Sequence, residues 1–153
     1  MAFDTPDGTR GARQPRAGML MRQINKTMAS RIRRTGKTMG FNALVLTTIG
    51  AKTGTERTTP VGWFPGPDDS WLIVASAAGA ARNPAWYYNI AAHPDKVTIE
   101  VDGRTIPVTA RQLHDADRDQ AWQQITTAVP RFGQYQGKTD REIPVICLEA
   151  RAG

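Results

Sequence analysis

Short stretches rich in β-branched and aromatic residues, separated by turn sequences, constrain the fold of this 153-residue chain more than any other feature. Such stretches are typical of β-strands. Asp102-Gly103 predicts a tight hairpin between two of them, and Pro60 within another predicts an edge strand or a bulge. Six strands are therefore predicted, mostly antiparallel, over residues 43–49, 57–64, 71–76, 96–100, 105–110 and 143–148.

Helices are predicted between these strands. Asn83 and Pro84 are typical of a cap and a first helical residue, and they predict a helix over Ala85–Ala92. A second, amphipathic helix is predicted to begin near Asp115 and to end before Pro130, which cannot continue it. Helices inserted among antiparallel strands indicate an α+β fold, a small barrel or roll. Neither βαβα alternation nor a G-x-G-x-x-G motif is present.

The N-terminal part of the chain differs from the remainder in composition. Residues 1–18 are polar and contain Gly and Pro, so we predict a disordered basic tail. Apolar side chains then recur every four residues, at Leu20, Ile24, Met28 and Ile32. This spacing predicts an amphipathic helix over residues 19–36. The helix and all that follows, residues 19–153, are predicted to form a single domain.

The net charge of +6 is concentrated in the same N-terminal part. Up to residue 40 the chain has nine Lys and Arg against two Asp, a net charge of +7, which leaves −1 for the remainder. Nucleic-acid-binding domains usually carry positive charge on a folded face, so we expect no nucleic acid partner. The basic helix forms either a solvated surface or a contact with an anionic ligand or an anionic membrane.

The sequence lacks the residues that several classes of chemistry require. The absence of a signal peptide and of an apolar run of about 20 residues predicts a cytoplasmic protein, with peripheral membrane contact through the basic helix as an option. Cys147 lies in an apolar stretch and is expected to be a buried structural thiol. His93 and His114 are isolated, so no metal site is expected. Without a Ser-His-Asp set or a carboxylate pair, the chemistry is left to a bound cofactor.

Three segments are candidates for binding such a cofactor. The turn at residues 50–57 holds Lys52 and Arg57 beside turn amides, which suits a phosphate or carboxylate, although a solvated hairpin could have the same sequence. Residues 75–81 are small and lie before a helix start, which favours a planar anionic ligand or is simply a connector. The third segment is aromatic and forms either core or a ring pocket: Trp86, Tyr87, Tyr88, Phe132 and Tyr135.

Together, short motifs in this chain resemble the deazaflavin-dependent nitroreductase family of actinobacteria, whose members use coenzyme F-420. The motifs run in order from about residue 42: Leu46–Gly54 with Arg57, Ile73–Ser76, Asn83–Asn89, His93-Pro94, Tyr135-Gln136 and Arg141–Pro144. The resemblance implies a split β-barrel, an FMN-binding-like roll. It also implies an oxidoreductase that transfers a hydride from reduced F-420 to an electron-poor hydrophobic acceptor, such as an enone, a quinone or a nitroaromatic.

The resemblance further implies a role for individual residues. The phosphate and glutamate tail of F-420 would be held by Lys52, Thr53, Gly54 and Arg57. The deazaflavin would be enclosed by Pro60, Val61, Ala75, Ser76, Trp86 and Asn89. Ala77 lies where family members often have a basic residue, which Arg82 could replace. Ser76 and Tyr135 would be catalytic. Ser76 would place the acceptor, and either Tyr135 or solvent would supply a proton, in an acceptor pocket formed by Gly62, Phe132 and Tyr135.

Three positions depart from the family members that reduce nitroimidazole prodrugs, which have Tyr in place of Gly62, Val129 and Phe132. Phe cannot donate a proton, and proton transfer from a positioned group is worth about 100- to 10,000-fold in rate. We therefore expect poor nitroimidazole reduction and a preference for bulky hydrophobic acceptors. Two alternatives keep the fold: an FMN-binding oxidoreductase, since Lys52 and Arg57 would also suit the FMN phosphate, and a non-catalytic cofactor-binding protein.

Overall fold

The computed structural model describes residues 3–11, 27, 29, 32, 37–38 and 41–151, and these residues form an α+β structure. Its strands are β1 (Lys37–Thr38), β2 (Phe41–Ile49), β3 (Glu56–Gly62), β4 (Phe64–Pro65), β5 (Trp71–Val74), β6 (Val97–Val101), β7 (Arg104–Gln112) and β8 (Val145–Ala150). Its helices are α1 (Ala85–Ala92), α2 (Asp115–Ala128) and α3 (Arg131–Lys138). In these ranges no helix has the length and apolarity needed to cross a bilayer.

The strands form a curled sheet in which every observed pairing is antiparallel. The order is β1-β2-β6-β7-β8-β5-β4, and β3 pairs with β2 beside β1. Pro60 lies on β3, which pairs only with β2 among the described strands, so the predicted edge position is confirmed. The stretch predicted as one strand over residues 57–64 is divided at Trp63 into β3 and β4.

Two apolar cores cover the two faces of the sheet, and β8 contributes to both. Ile146 and Leu148 belong to the core beneath α1, whereas Val145 and Cys147 belong to the core beneath α2 and α3. This alternation follows from the two-residue period of a strand. Cys147 is buried as predicted, and burial raises the pKa of its thiol. The sheet therefore supports helices, and the loops that precede them, on both sides.

A small third cluster joins the N-terminal helix to β2. Thr27, Ala29 and Ile32 are helical, and the side chains of Ala29 and Ile32 are buried against Ala43 and Val45. These residues lie within the predicted helix over residues 19–36, most of which is outside the described residues. One member of the predicted apolar repeat, Ile32, and the neighbouring Ala29 therefore contribute to the core.

The helices α1 and α2 form where the sequence predicts them, but two details differ. Asn83 does not cap α1, because its side chain donates to the Thr5 carbonyl instead, and Pro84 occupies the position before the helix. The sequence predicts no helix after Pro130, yet residues 131–138 form α3. Gly133 and Gly137 lower the helix propensity of α3, so packing of its apolar side stabilises it.

Residues 3–11 also differ from expectation, because they contact the folded domain rather than forming a disordered tail. The Gly8 amide donates to the Ala81 carbonyl at 2.7 Å, and the Thr9 amide donates to Asp140 Oδ1 at 2.8 Å. Phe3 adds an apolar contact, since its ring meets the Tyr87 ring edge to face with centroids 6.0 Å apart. The remainder of the predicted tail lies outside the described residues.

Candidate functional site

The turn between β2 and β3 contains the residues predicted to bind the phosphate. The Gly50 amide donates to the Thr55 carbonyl at 2.8 Å, and the Gly54 amide donates to the Gly50 carbonyl at 2.9 Å. Gly54 has a φ of 70°, in the left-handed region that glycine adopts without strain. Thr53 Oγ1 lies 2.8 Å from Thr55 Oγ1. Internal hydrogen bonds therefore define the turn, while the side chains of residues 51–58 are exposed.

Two cations extend from this turn into solvent. Lys52 lies in the turn, and Arg57 lies opposite Thr48 in the β2–β3 ladder. Within the described ranges, neither side chain forms an ion pair. Glu56 is the one carboxylate in residues 50–57, which leaves the segment with a net charge of +1. The turn can therefore attract an anion without first breaking a salt bridge seen in the structure.

Asn89 attaches the turn to helix α1. Its Oδ1 accepts from the Ala51 amide at 3.0 Å, and its Nδ2 donates to Thr48 Oγ1 at 3.2 Å. The Asn89 side chain is buried, and both ends of its amide are engaged. The residue predicted to close the cofactor pocket thus holds the turn in place from the helix side.

The loop after β5 adopts an uncommon backbone conformation. Ser76 is right-handed, with a φ of −76°, and the next three residues, Ala77, Ala78 and Gly79, have φ values of 47°, 55° and 83°. A right-handed residue followed by a left-handed one turns successive amides toward one concavity, which is a common anion site. A side chain at Gly79 would place its Cβ 2.8 Å from the Tyr135 carbonyl oxygen, so the loop lies directly against α3.

A buried arginine, Arg141, supports this loop. Its Nε donates to the Ala80 carbonyl at 2.9 Å, and its Nη2 donates to the Ser76 carbonyl at 2.8 Å. Its Nη1 donates to the Ala75 carbonyl at 3.0 Å and to Asn83 Oδ1 at 2.9 Å. Burial lowers the pKa of the guanidinium. Sequence analysis gave Arg141 no role, because a charged residue in a polar segment is ordinarily expected at the surface.

The N-terminal segment covers the far end of the same loop. Asp7 Oδ1 accepts from the Asn83 amide at 2.9 Å and from the Tyr88 hydroxyl. Burial acts to raise the pKa of Asp7, but these hydrogen bonds outweigh it and hold the pKa below its ordinary value. Arg82 Nε lies 3.6 Å from Asp7 Oδ2. Arg82, considered for the cofactor tail, is therefore already beside a carboxylate.

The aromatic residues predicted for the acceptor pocket are divided between core and surface. Phe132 is buried and meets Phe64 and Tyr135 edge to face, with ring centroids 5.8 Å apart in both pairs. Tyr135 is half-buried, and Lys138 Nζ lies 5.8 Å from its ring centroid. Phe132 thus has a packing role, and Tyr135 is the member of the pair that reaches toward solvent.

Several residues predicted to enclose the deazaflavin share one apolar cluster. Ala75 and Trp86 are buried in the core beneath α1, and the partly buried Val61 packs against it. Pro60 and Gly62 flank Val61 on the edge strand β3. These residues therefore come together from three separate elements, and the Ser76 loop begins at the same cluster.

A depression of about 660 Å³ lies elsewhere on the sheet, near β4 and β5, and contains none of the predicted site residues. Its lining combines three carboxylates with one guanidinium, a balance that disfavours an anionic ligand: Asp68, Asp69, Glu149 and Arg104. In the described part of the chain, no group of three His, Cys, Asp or Glu side chains is placed to hold a metal ion.

The fold and the anion-suited turn place the chain in a class of split β-barrel proteins. The chain is similar to the heme storage protein HutZ from Vibrio cholerae, with a TM-score of 0.51 and 14% identity over 84% of this chain and 92% of that chain. At that identity the likeness shows the fold alone. It is also similar to an F-420-H2-dependent reductase, FDR-A, with a TM-score of 0.62 and 35% identity over 70% of this chain and 93% of that chain.

The family model for F-420H(2)-dependent quinone reductase matches residues 20–150, and the chain belongs to this family. An F-420H(2)-dependent quinone reductase from Mycobacterium tuberculosis is 42% identical over 112 residues, which are 71% of this chain and 74% of that protein. Membership confirms the predicted split β-barrel, the reductase class and reduced coenzyme F-420 as the cofactor. The residues that bind the cofactor and the acceptor remain predictions.

Proposed function

We propose that this protein transfers a hydride from reduced coenzyme F-420 to an electron-poor, hydrophobic organic acceptor, with a quinone as the first acceptor to test. Quinone reduction is the activity in the family description, and enones and nitroaromatics share the same electron-poor character. The observation that carries the proposal is the ordered turn at residues 50–55 with the start of β3, since Lys52 in the turn and Arg57 on the strand form no ion pair within the described residues.

The donor set of this turn suits the anionic part of F-420. Lys52 and Arg57 offer charge-assisted donors to a phosphate or a glutamate carboxylate, and Arg can engage either one with two parallel hydrogen bonds. Gly54, with no side chain and nothing within 4 Å of its Cβ position, permits close approach to the backbone. In the proposal Thr53 adds a hydroxyl donor to the same anion.

The deazaflavin would lie between the apolar cluster and the loop after β5. Val61, Ala75 and Trp86 offer apolar surface for a flat ring system. The bend at Ser76 and Ala77 turns backbone amides toward one concavity, which suits the polar edge of a planar heterocycle. Pro60 and Asn89 complete the proposed enclosure, Asn89 by holding the turn.

When bound, F-420 supplies the hydride, and the protein supplies binding, orientation and a proton. We assign orientation of the acceptor to the Ser76 hydroxyl. The proton is assigned to the Tyr135 hydroxyl, because Phe132 has none and is buried. Gly62 would leave room for a bulky acceptor. This arrangement supports weak reduction of nitroimidazoles relative to hydrophobic quinones and enones.

Fluorescence titration of the purified protein with oxidised F-420, and separately with FMN, tests the cofactor site. Removing one exposed charge partner costs about 1 kcal/mol, so Lys52→Ala should weaken F-420 binding about fivefold. Arg104→Ala, which removes an exposed cation from the β6–β7 hairpin, is the matched control and should bind as the parent does. Binding of FMN without F-420 would support the flavin alternative, and binding of neither would refute the proposal.

A panel of acceptors with reduced F-420 tests the reaction. Turnover of a quinone or an enone would exclude the non-catalytic alternative. Tyr135→Phe should lower the rate with little change in F-420 affinity, because the substitution removes only the hydroxyl. A nitroimidazole reduced faster than every quinone and enone would contradict the proposed acceptor preference.

Contact with an anionic membrane through the N-terminal basic helix is a separate part of the proposal and rests on the sequence. Four of its cations lie mostly off the apolar stripe: Arg22, Lys26, Arg33 and Arg34. Each basic residue near an anionic surface contributes about 1 kcal/mol. Replacing all four by Gln, which leaves the docked residues 3–11 intact, should abolish sedimentation with vesicles rich in phosphatidylserine. Unchanged sedimentation would contradict the membrane contact.

A further inference from the structure

The loop formed by residues 75–83 has a conformation that its own sequence does not favour. Ala77 and Ala78 are both left-handed, and such residues cost about 1–3 kcal/mol each. Alanine has no side-chain group that could compensate by a local hydrogen bond, as Asn or Asp would. Two backbone hydrogen bonds inside the loop offset part of this cost, from the Gly79 amide to the Ser76 carbonyl and from the Ala80 amide to the Ala77 carbonyl. Contacts from elsewhere in the fold supply the remaining stabilisation.

Arg141 provides those contacts at both ends of the left-handed segment. Its guanidinium donates to the carbonyls of Ala75 and Ser76 on one side, and to the Ala80 carbonyl and Asn83 Oδ1 on the other. These bonds use four of the five N–H groups of the guanidinium. A single planar group thus fixes the distance between the two ends of the loop.

The four acceptors of Arg141 are all neutral, but the Asp7 carboxylate, which accepts from the Asn83 amide, interacts electrostatically with the guanidinium. Three are backbone carbonyls and one is a side-chain amide. The positive charge is buried under the loop, where screening by water is weak. Asp7 therefore offsets charge at Arg141, and the main contribution of Arg141 to a ligand site is the geometry that it imposes on the loop.

We propose that Arg141 is a positioning residue for the F-420 site, where it preorganises the loop of residues 75–83 by bonding to both of its ends. This inference rests on the proposed function, since it assumes that the loop contacts the cofactor. Arg141 itself lies behind the loop and acts through Ser76 and its neighbours. Preorganisation matters because a disordered loop must be ordered at the expense of binding.

Two substitutions separate geometry from charge. Arg141→Lys keeps the charge but replaces a five-donor planar fork by a flexible ammonium, and Arg141→Gln removes the charge as well. The control is Arg118→Gln, because Arg118 is also buried and its Nη2 also donates to a carbonyl, that of Ile143, at 2.8 Å. Both arginines support the segment before β8, and only Arg141 contacts the loop.

Each variant is titrated with oxidised F-420 and with reduced F-420, and hydrogen exchange of the amides at residues 76–81 is measured without ligand. We expect Arg141→Gln to bind F-420 about tenfold more weakly than the parent, which corresponds to about 1.4 kcal/mol. Re-ordering roughly one loop residue on binding costs that amount. Arg141→Lys should lie in between, and loop amides should exchange faster in both variants. In turnover, KM for F-420 should rise more than kcat falls.

The control distinguishes a specific role from a general loss of stability. Arg118→Gln should lower the thermal midpoint by a similar amount while F-420 affinity stays within about twofold of the parent, since Arg118 contacts no residue of the loop. Equal weakening in Arg118→Gln and Arg141→Gln would overturn the proposal, as would parental affinity in both Arg141 variants. If Arg141→Gln does not fold, Arg141→Lys decides the matter by the same criteria. A parent protein that fails to bind F-420 would instead refute the proposed function.

Discussion

Replacing Asn89 by Ala tests whether helix α1 positions the cationic turn. The substitution removes the bond from the Ala51 amide and the bond to Thr48 Oγ1. At about 1 kcal/mol for each hydrogen bond, the loss is about 2 kcal/mol. Alanine regains up to about 0.7 kcal/mol through its higher helix propensity. We therefore expect the free energy of unfolding to fall by about 1.3 kcal/mol.

Urea and thermal unfolding measure this change. For a chain of this length, 1.3 kcal/mol corresponds to a decrease of about 3–5 °C in the thermal midpoint. Thr48→Val removes one of the two bonds while it leaves the Ala51 bond to Asn89 intact. Because Thr48 and Asn89 are bonded to each other, the double variant should be about 1 kcal/mol less destabilised than the sum of the single variants.

The same variants separate stability from cofactor binding. Asn89→Ala releases the turn backbone at Ala51, so F-420 affinity should fall, whereas Thr48→Val should bind F-420 as the parent does. The reasoning is refuted if the two substitutions are additive within about 0.5 kcal/mol. It is equally refuted if Asn89→Ala leaves both the thermal midpoint and the F-420 affinity unchanged.

Three further substitutions test other contacts. Phe132→Tyr places a hydroxyl in an apolar core and should cost about 1–3 kcal/mol in urea unfolding; unchanged stability would show that this ring edge reaches water. Gly11→Ala would bring a Cβ into steric conflict with the Ala81 amide nitrogen, so limited trypsin digestion should cleave the N-terminal segment faster than in the parent. Hydrogen bonds from Thr9 and its neighbour lower the pKa of Asp140 from 3.8 to about 2. A depressed carboxyl pKa stabilises the folded contact above pH 3.8, and that stabilisation is lost as the pH falls toward 2. The protection factor of the Thr9 amide, corrected for the intrinsic exchange rate at each pH, should therefore decrease over this range, and Asp140→Asn should remove that dependence.

Sequence patterns predicted the helices and strands that are stabilised by residues close to one another in the chain. The β-branched stretch of β2 and the bounds of α1, Ala85–Ala92, follow from period and terminal residues. By contrast, α3 contains Gly133 and Gly137, which conceal a helix that forms through packing. The docking of residues 3–11 was not predictable, because Thr9 and Asp140 are 131 positions apart.

The same distinction applies to the candidate site: some of its residues are recognisable from the local sequence, and the role of others depends on distant residues. The Lys52 and Arg57 turn could be proposed from sequence, since two cations and two glycines within eight residues indicate an anion-binding turn. The left-handed pair at Ala77 and Ala78 could not, because alanine carries no preference for that conformation. Arg141 was missed for a related reason: its role comes from carbonyls about 60 residues earlier in the chain.

The central place of β8 in the sheet has a consequence for synthesis of the chain. β8 pairs with β7 on one side and β5 on the other, and its alternating side chains complete both cores. Strands β4 and β5 pair with each other, and β8 is the strand that joins this pair to the main sheet. Until residues 145–150 have left the ribosome, the pair therefore has no partner strand. Pairing over such sequence distances is slow, and unpaired strand edges promote aggregation. We therefore expect a chain shortened by this one strand to leave β5 and β7 unpaired on that side and both cores incomplete.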